Sequence, residues 1–256
     1  MLERMFNYEN PVWQFMGRLA DILILNIIAI VFSIPIFTIG ASWTALYYTL
    51  LKVVRKEDTY VWKEFWHSFK SNFKQATIIW LILLPFICFI SLDLFLWYVN
   101  VTNGNPDALP KVLKITTVIV AIIIATETLY VFPILSHFEN TVKTTMINAF
   151  MVAILNIPST ILFMFLFALP IVLTDLNLNF LLLDVMFGIA GPAYLSCFAW
   201  NKIFKKLEPK TEDDEDDDED DDDRIFSDEV IVDAASQEHI VLEENSKQHI
   251  RLEADK

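Results

Sequence analysis

Four carboxylates stand inside long apolar runs: Asp21, Asp93, Glu127 and Asp184. An ionisable side chain at membrane depth is costly. It persists where it pairs with a neighbour or lines a route for ions, protons or polar solutes. In the topology argued below, Asp21, Asp93 and Asp184 share the outer third of their runs. They could therefore face one cavity and hold a cation or a sugar hydroxyl. The other reading is local pairing or snorkelling, since Arg18 lies one helical turn before Asp21. Glu127 lies nearer mid-depth with no base in its run. It is either neutral and hydrogen-bonded inside a bundle or part of a polar path. Asn26, Thr128 and Asn156 add polar groups compatible with either reading.

A second group of residues suits a surface rather than a cavity. Over residues 52–75, Val61, Phe65, Phe69 and Phe73 recur every four residues, Trp62 and Trp66 beside them add spacings of three, and Lys63, Lys70 and Lys74 flank them. This spacing predicts an amphipathic helix. It would lie on the inner leaflet, aromatics down and lysines toward anionic headgroups, or dock a partner. His67 has no ligand partner nearby, and no metal site is expected.

The elements that must position these groups follow from hydropathy. Hydrophobic residues make up 55% of the 256-residue chain. Ile22–Leu51 and Thr144–Thr174 carry no charge, and Ile115–Phe138 and Leu176–Asn201 carry one each. Because a helix needs about 20 apolar residues to cross the bilayer core, five spans are predicted, near 18–39, 76–99, 112–135, 149–172 and 178–200. The first run exceeds one span. Pro35 and Gly40 should bend or end its helix, leaving 41–51 as a short helix returning into the interface. A sixth crossing there would have roughly half the required length. Every span contains proline: Pro35, Pro85, Pro133, Pro158 with Pro170, and Pro192. These kink helices in a compact bundle or mark broken helices along a pathway. Gly188, Ala190, Gly191 and Ala193 would let the last span pack closely.

Lysine and arginine set the orientation. With the N-terminus outside, the inner segments 52–74, 136–148 and 201–210 hold eleven of these residues, against four outside. The rule that basic loops stay inside then gives N-out and C-in. Trp43, Trp80 and Trp200 would sit at the inner boundary, with Trp13, Trp97 and Tyr98 at the outer one. The N-terminus lacks the basic n-region of a cleavable signal, so the first span should stay attached.

Two chemistries share the chain. Residues 1–206 carry a net +2, and residues 207–256 a net −16. The expected division is a helical membrane domain, 1–206, and an acidic cytoplasmic tail, 207–256. Twelve consecutive acids, Glu212–Asp223, repel one another and should stay extended and disordered. They lack the spaced ligands and glycine of an EF-hand. The apolar islands beyond them, such as His239–Leu242 and His249–Leu252, are too small for a domain. Cys88 and Cys197 both lie in apolar stretches, against a disulfide scaffold.

The absent motifs exclude much. There is no phosphate-cradling loop, no nucleophile elbow, no H-E-x-x-H and no Cys/His set with metal spacing. The net charge of −14 opposes nucleic-acid binding. Neither an enzyme nor a cofactor is expected, and the bilayer is the first partner.

The stretch Ile34–Ser42, followed by Thr44–Tyr48, resembles the first signature of the YesL-like family, bacterial multi-span membrane proteins classed as domain of unknown function 624. Arg55–Asp58 leading to Phe65, then Phe69–Ala76, is similar to its second. Phe138–Thr141 with Asn148-Ala149 resembles the loop before its fourth span. The family often has Pro-Ala after the glycine, where this chain has Ala41-Ser42-Trp43. The resemblance covers nearly all of 10–206 but not the tail. It implies a bacterial cell-membrane protein linked to carbohydrate uptake, through a sugar-permease or sensor-kinase partner, and it carries over no site residues. The expectation is an all-α membrane protein of five transmembrane helices, with an accessory role in sugar uptake. The rival reading is an autonomous solute or proton-coupled transporter that uses the intramembrane carboxylates.

Overall fold

The computed structural model describes residues 11–57, 60–103 and 111–207. The acidic run and the islands beyond it lie outside these. The chain divides into one unit, Met1–Trp200, and a second, Asn201–Lys256, of which the described residues are the helical 201–207.

The described elements are helical: α1 (Pro11–Ser33), α2 (Ile39–Val54), α3 (Val61–Thr102), α4 (Lys111–His137), α5 (Val142–Leu155), α6 (Ile157–Leu176), α7 (Leu181–Phe187) and α8 (Ala190–Leu207), with short 3-10 turns at Ile36–Thr38 and Leu178–Phe180. Helices α1, α3, α4 and α6 are each long and apolar enough to cross a membrane. The α7–α8 pair, bent by 54° with the 3-10 turn before it, makes a fifth crossing when counted as one broken span. Large apolar side chains such as Phe89, Ile119, Ile161 and Ile171 face outward. A soluble protein rarely leaves such surface uncovered, and lipid is the solvent that suits it. The chain is a multi-pass membrane protein.

Helix α1 stops at Ser33, short of the expected residue 39. Pro35 has no N–H to continue the ladder. Two side chains meet the interrupted backbone there. The Thr38 hydroxyl lies 2.6 Å from the carbonyl oxygens of both Phe32 and Pro35, and the Trp80 indole donates to the Ile36 carbonyl at 2.7 Å.

Helix α2 is the short helix expected over 41–51, and neighbouring helices enclose it. Eleven of its sixteen residues are buried, and it packs on α1, α3 and α4. Its polar groups bond inward. Ser42 donates to the Ala29 carbonyl of α1, while Thr44 and Thr49 bond back along their own helix. Small residues at Gly40, Ala41, Ser42 and Ala45 allow neighbouring backbones to approach on several sides. The helix ends in a Schellman turn, Glu57 N–H to Lys52 O and Lys56 N–H to Val53 O. Lys56, at φ 58°, takes the left-handed position that glycine usually fills.

The expected surface helix over 52–75 is instead the first part of α3. No glycine or proline lies between Val61 and Leu84, so nothing ends the helix before the membrane run. Its 42 residues extend about 63 Å at 1.5 Å per residue, twice the hydrocarbon thickness. The aromatic face grips protein rather than lying flat on lipid. Phe32 of α1 sits between Phe65 and Phe69, at ring distances of 5.6 and 5.0 Å, and both are buried.

Lys52 of α2 pairs with Glu64 of α3 at 2.8 Å and lies over the Tyr48 ring. Partial burial pulls the Lys52 ammonium down, but the Glu64 carboxylate and Tyr48 outweigh it, and the net shift is upward. The pair therefore contributes fully below the ordinary lysine range and loses its contribution as pH rises through the raised folded value. Both side chains are partly exposed, so Glu64→Gln should cost less than about 1 kcal/mol. Thermal unfolding should show a constant difference from wild type at neutral pH that shrinks above pH ~10.

One further boundary differs from expectation. The span expected at 149–172 breaks at Asn156 (φ −116°, ψ 49°), and α6 restarts with Pro158 in its first turn, where the missing N–H costs no hydrogen bond. Trp80 and Trp200 are both buried within the protein. Trp200 packs against Tyr130 and Phe163 at 4.9 and 5.4 Å, and the Tyr130 hydroxyl pairs with Thr160. By contrast, α3, α4 and α6 continue through Pro85, Pro133 and Pro170.

Candidate functional site

The break between α7 and α8 lies beside an apolar cavity. Asn26 is fully buried on α1, and its side-chain amide serves both sides of the break. Its Nδ2 donates to the Val185 carbonyl at 2.8 Å, while its Oδ1 accepts from the N–H groups of Ile189 and Ala190 at 3.2 and 2.8 Å. A buried backbone at a helix break needs such partners, because lipid supplies none. Residue type alone marked Asn26 only as a polar group in a span. Its role depends on α1 meeting a segment 160 positions away, which no local spacing encodes.

Beside the break lies a cavity of about 710 Å³, walled by α3, α4, α6 and the α7–α8 segment, with Trp43 of α2. Its lining is apolar except for Ser91, Thr128 and Asp184. Trp43 stacks on Phe167 at 5.7 Å. Asp184 is the one ionisable residue in the lining, and it accepts a short hydrogen bond from the Thr174 hydroxyl of α6.

The other sequence candidates lie outside this lining. Asp93 accepts from Thr117 across α3 and α4 at 2.6 Å. Asp21 is half-buried on α1. Among the described residues no three acidic, histidine or cysteine side chains form a group that could hold a metal ion. Glu127 is buried on α4 without lining the cavity. Both its oxygens are shut off from solvent, and neither has a hydrogen-bond partner among the described residues. An ionised carboxylate so placed costs several kcal/mol or more. Glu127 therefore requires a proton, a cation or a donor beyond the described residues.

The surface candidates do come together. Trp62 and Trp66 lie in parallel planes, 2° apart, with ring centroids 6.3 Å apart. They are 54% and 37% exposed, and the Lys70 ammonium lies 5.1 Å over the Trp66 ring. Lys63 and Lys74 are exposed on the same stretch of α3. Helix α3 thus carries a rigid, basic, aromatic surface at its Val61 end, fixed from behind by Phe32 and by the Lys52–Glu64 pair.

Residues 22–94 match a family described as "Protein of unknown function, DUF624". No curated protein and no solved structure matches the chain. The DUF624 match takes in most of α1, all of α2 and α3 as far as Leu94. It therefore covers the Phe32 packing on Phe65 and Phe69, the small residues of α2 and the exposed tryptophan pair. Glu127, Asp184 and the stretch 138–149 lie beyond it, so it covers less than the resemblance over 10–206 implied.

Proposed function

We propose that this protein is a non-enzymatic accessory component of carbohydrate uptake in a bacterial cell membrane, with the N-terminus outside and the C-terminus cytoplasmic. The observation that carries the reading is the Val61 end of α3. It is long enough to project from the membrane, it is braced by α1 and α2, and it presents Trp62, Lys63, Trp66, Lys70 and Lys74 outward. Stacked tryptophans with flanking cations suit a protein interface, where aromatic anchors dominate binding. The resemblance to YesL-like proteins supplies the link to sugar import and the expected partner, a sugar permease or a sensor kinase. The excess of lysine and arginine at that end of α3 supports its cytoplasmic side.

Joint replacement of Trp62 and Trp66 by alanine should remove the partner from a gentle affinity purification while leaving the protein folded, because both rings are exposed. Growth and sugar uptake in the variant strain should fall to the level of a deletion. Uptake unaffected by deletion, on every sugar whose import genes adjoin this one, would end the accessory reading.

The transporter reading keeps one specific support, the broken helix beside a cavity with an acidic group. Reconstituted protein that moves a solute, with loss on Asp184→Asn or Glu127→Gln, would favour it instead.

A further inference from the structure

The cavity beside the α7–α8 break has a chemistry that selects its occupant. Its volume of about 710 Å³ lies within the range of small-molecule sites. Its walls are apolar and aromatic, with Ile90, Ile124, Met164, Phe167 and Trp43 among them. A free sugar, which needs a partner for nearly every hydroxyl, does not suit them. Asp184 gives the lining one carboxylate. Thr174 bonds one of its oxygens, and a carboxylate has acceptor capacity for more.

The break would ordinarily attract anions, because a helix N-terminus presents unpaired N–H groups. Here Asn26 accepts from Ile189 and Ala190 and removes those donors. Thr128 donates its hydroxyl hydrogen to the Ile124 carbonyl, so it too faces the cavity as an acceptor. Asp184 and Thr128 thus offer lone pairs and negative charge beside apolar walls, and Ser91 adds a hydroxyl that can donate or accept.

We infer that this cavity is a binding site for an amphipathic ammonium, its apolar body between α4 and α6 and its cationic head on Asp184. This goes beyond the accessory role, which rests on the far end of α3, and either can fail without the other. The ammonium could belong to a free hydrophobic amine or to an aminolipid, and the test separates these sources.

The full chain, purified in a neutral maltoside detergent, would be titrated with radiolabelled dodecylamine and, in parallel, with dodecanol. The expected result is saturable binding of one amine per chain, at least tenfold tighter than the alcohol. Asp184→Asn should abolish that preference, while Asp175→Asn, an exposed acid nearby in sequence, should leave it intact. Ala125→Phe adds a ring to a lining residue of α4, leaves the carboxylate in place and should remove amine binding altogether. Equal binding of amine and alcohol, or an undiminished preference in Asp184→Asn, overturns the inference. If Asp184→Asn does not fold, Ala125→Phe decides alone, and full amine binding in that variant overturns it. Displacement of dodecylamine by phosphatidylethanolamine identifies a lipid source. Failure to displace it identifies a free amine.

Discussion

Gly40→Leu should prevent accumulation of folded protein, and Gly40→Ala should already lower its stability severely. A β-carbon at residue 40 would stand 2.5 Å from the Ala76 carbonyl oxygen, 2.7 Å from the Trp80 β-carbon and 3.0 Å from the Phe132 ring. The nearest atom is backbone, so no rotamer change relieves the contact. Helix α2 must instead move away from α3 and α4 together. Overpacking in a well-filled core costs about 1–3 kcal/mol for flexible surroundings, and a backbone clash at the closest helix crossing should exceed that. A second loss would follow. Trp80 donates to the Ile36 carbonyl just before this crossing, and displacement would strip that carbonyl of this partner. Thermal unfolding in detergent, followed by size exclusion, reads the effect. Gly40→Ala melting within a degree or two of wild type would show that α2 has room the geometry denies.

The same crossing shows how far the sequence carries. The membrane class, the helical content and the apolar runs follow from composition and length, because bilayer thickness and backbone satisfaction leave few options. Pro35 was readable as a stop for α1 because it lacks an N–H. The fate of 41–51 was not. Its alternation of small, hydroxylated and large apolar residues fits both a half-exposed surface helix and a fully enclosed one, and enclosure depends on α1, α3 and α4 all approaching it. The aromatic repeat over 61–73 was correctly periodic, yet periodicity reports which face is apolar and not what covers it. Phe32, on another helix, decides that question. The carboxylates were legible as candidates by type alone. Their partners, Thr117 for Asp93 and Thr174 for Asp184, come from adjacent helices whose rotation no spacing specifies. Glu127, buried with no hydrogen-bond partner among the described residues, is the clearest departure from the rule that buried polar groups are satisfied.

Asn26→Leu should cost about as much as Gly40→Ala by the opposite route, through lost bonds rather than added bulk. Leucine keeps the branched outline of asparagine, though its methyl groups must sit a few tenths of an ångström or more farther from the break than the hydrogen-bonding atoms they replace. It removes three hydrogen bonds at once, from Asn26 to Val185 and from Ile189 and Ala190 to Asn26. An unsatisfied buried group costs about 1–3 kcal/mol, so three orphaned backbone groups should lower stability by roughly 3 kcal/mol or more if the break keeps its shape. The break can also relax by straightening, which would let the backbone bond along one continuous helix and close the cavity. Hydrogen exchange across 185–190 separates these outcomes. Faster exchange at Ile189 and Ala190, with a lowered melting point, is expected for a break that persists. Slower exchange there would mean that the bend exists only because Asn26 holds it open. Asn26→Asp is the informative companion. Its carboxylate can still accept from Ile189 and Ala190 but cannot donate to Val185, so it should retain part of the protection and place a like charge near Asp184. Wild-type stability in Asn26→Leu would show that these three bonds do not hold the broken span, and the assignment of Asn26 as its brace would fall.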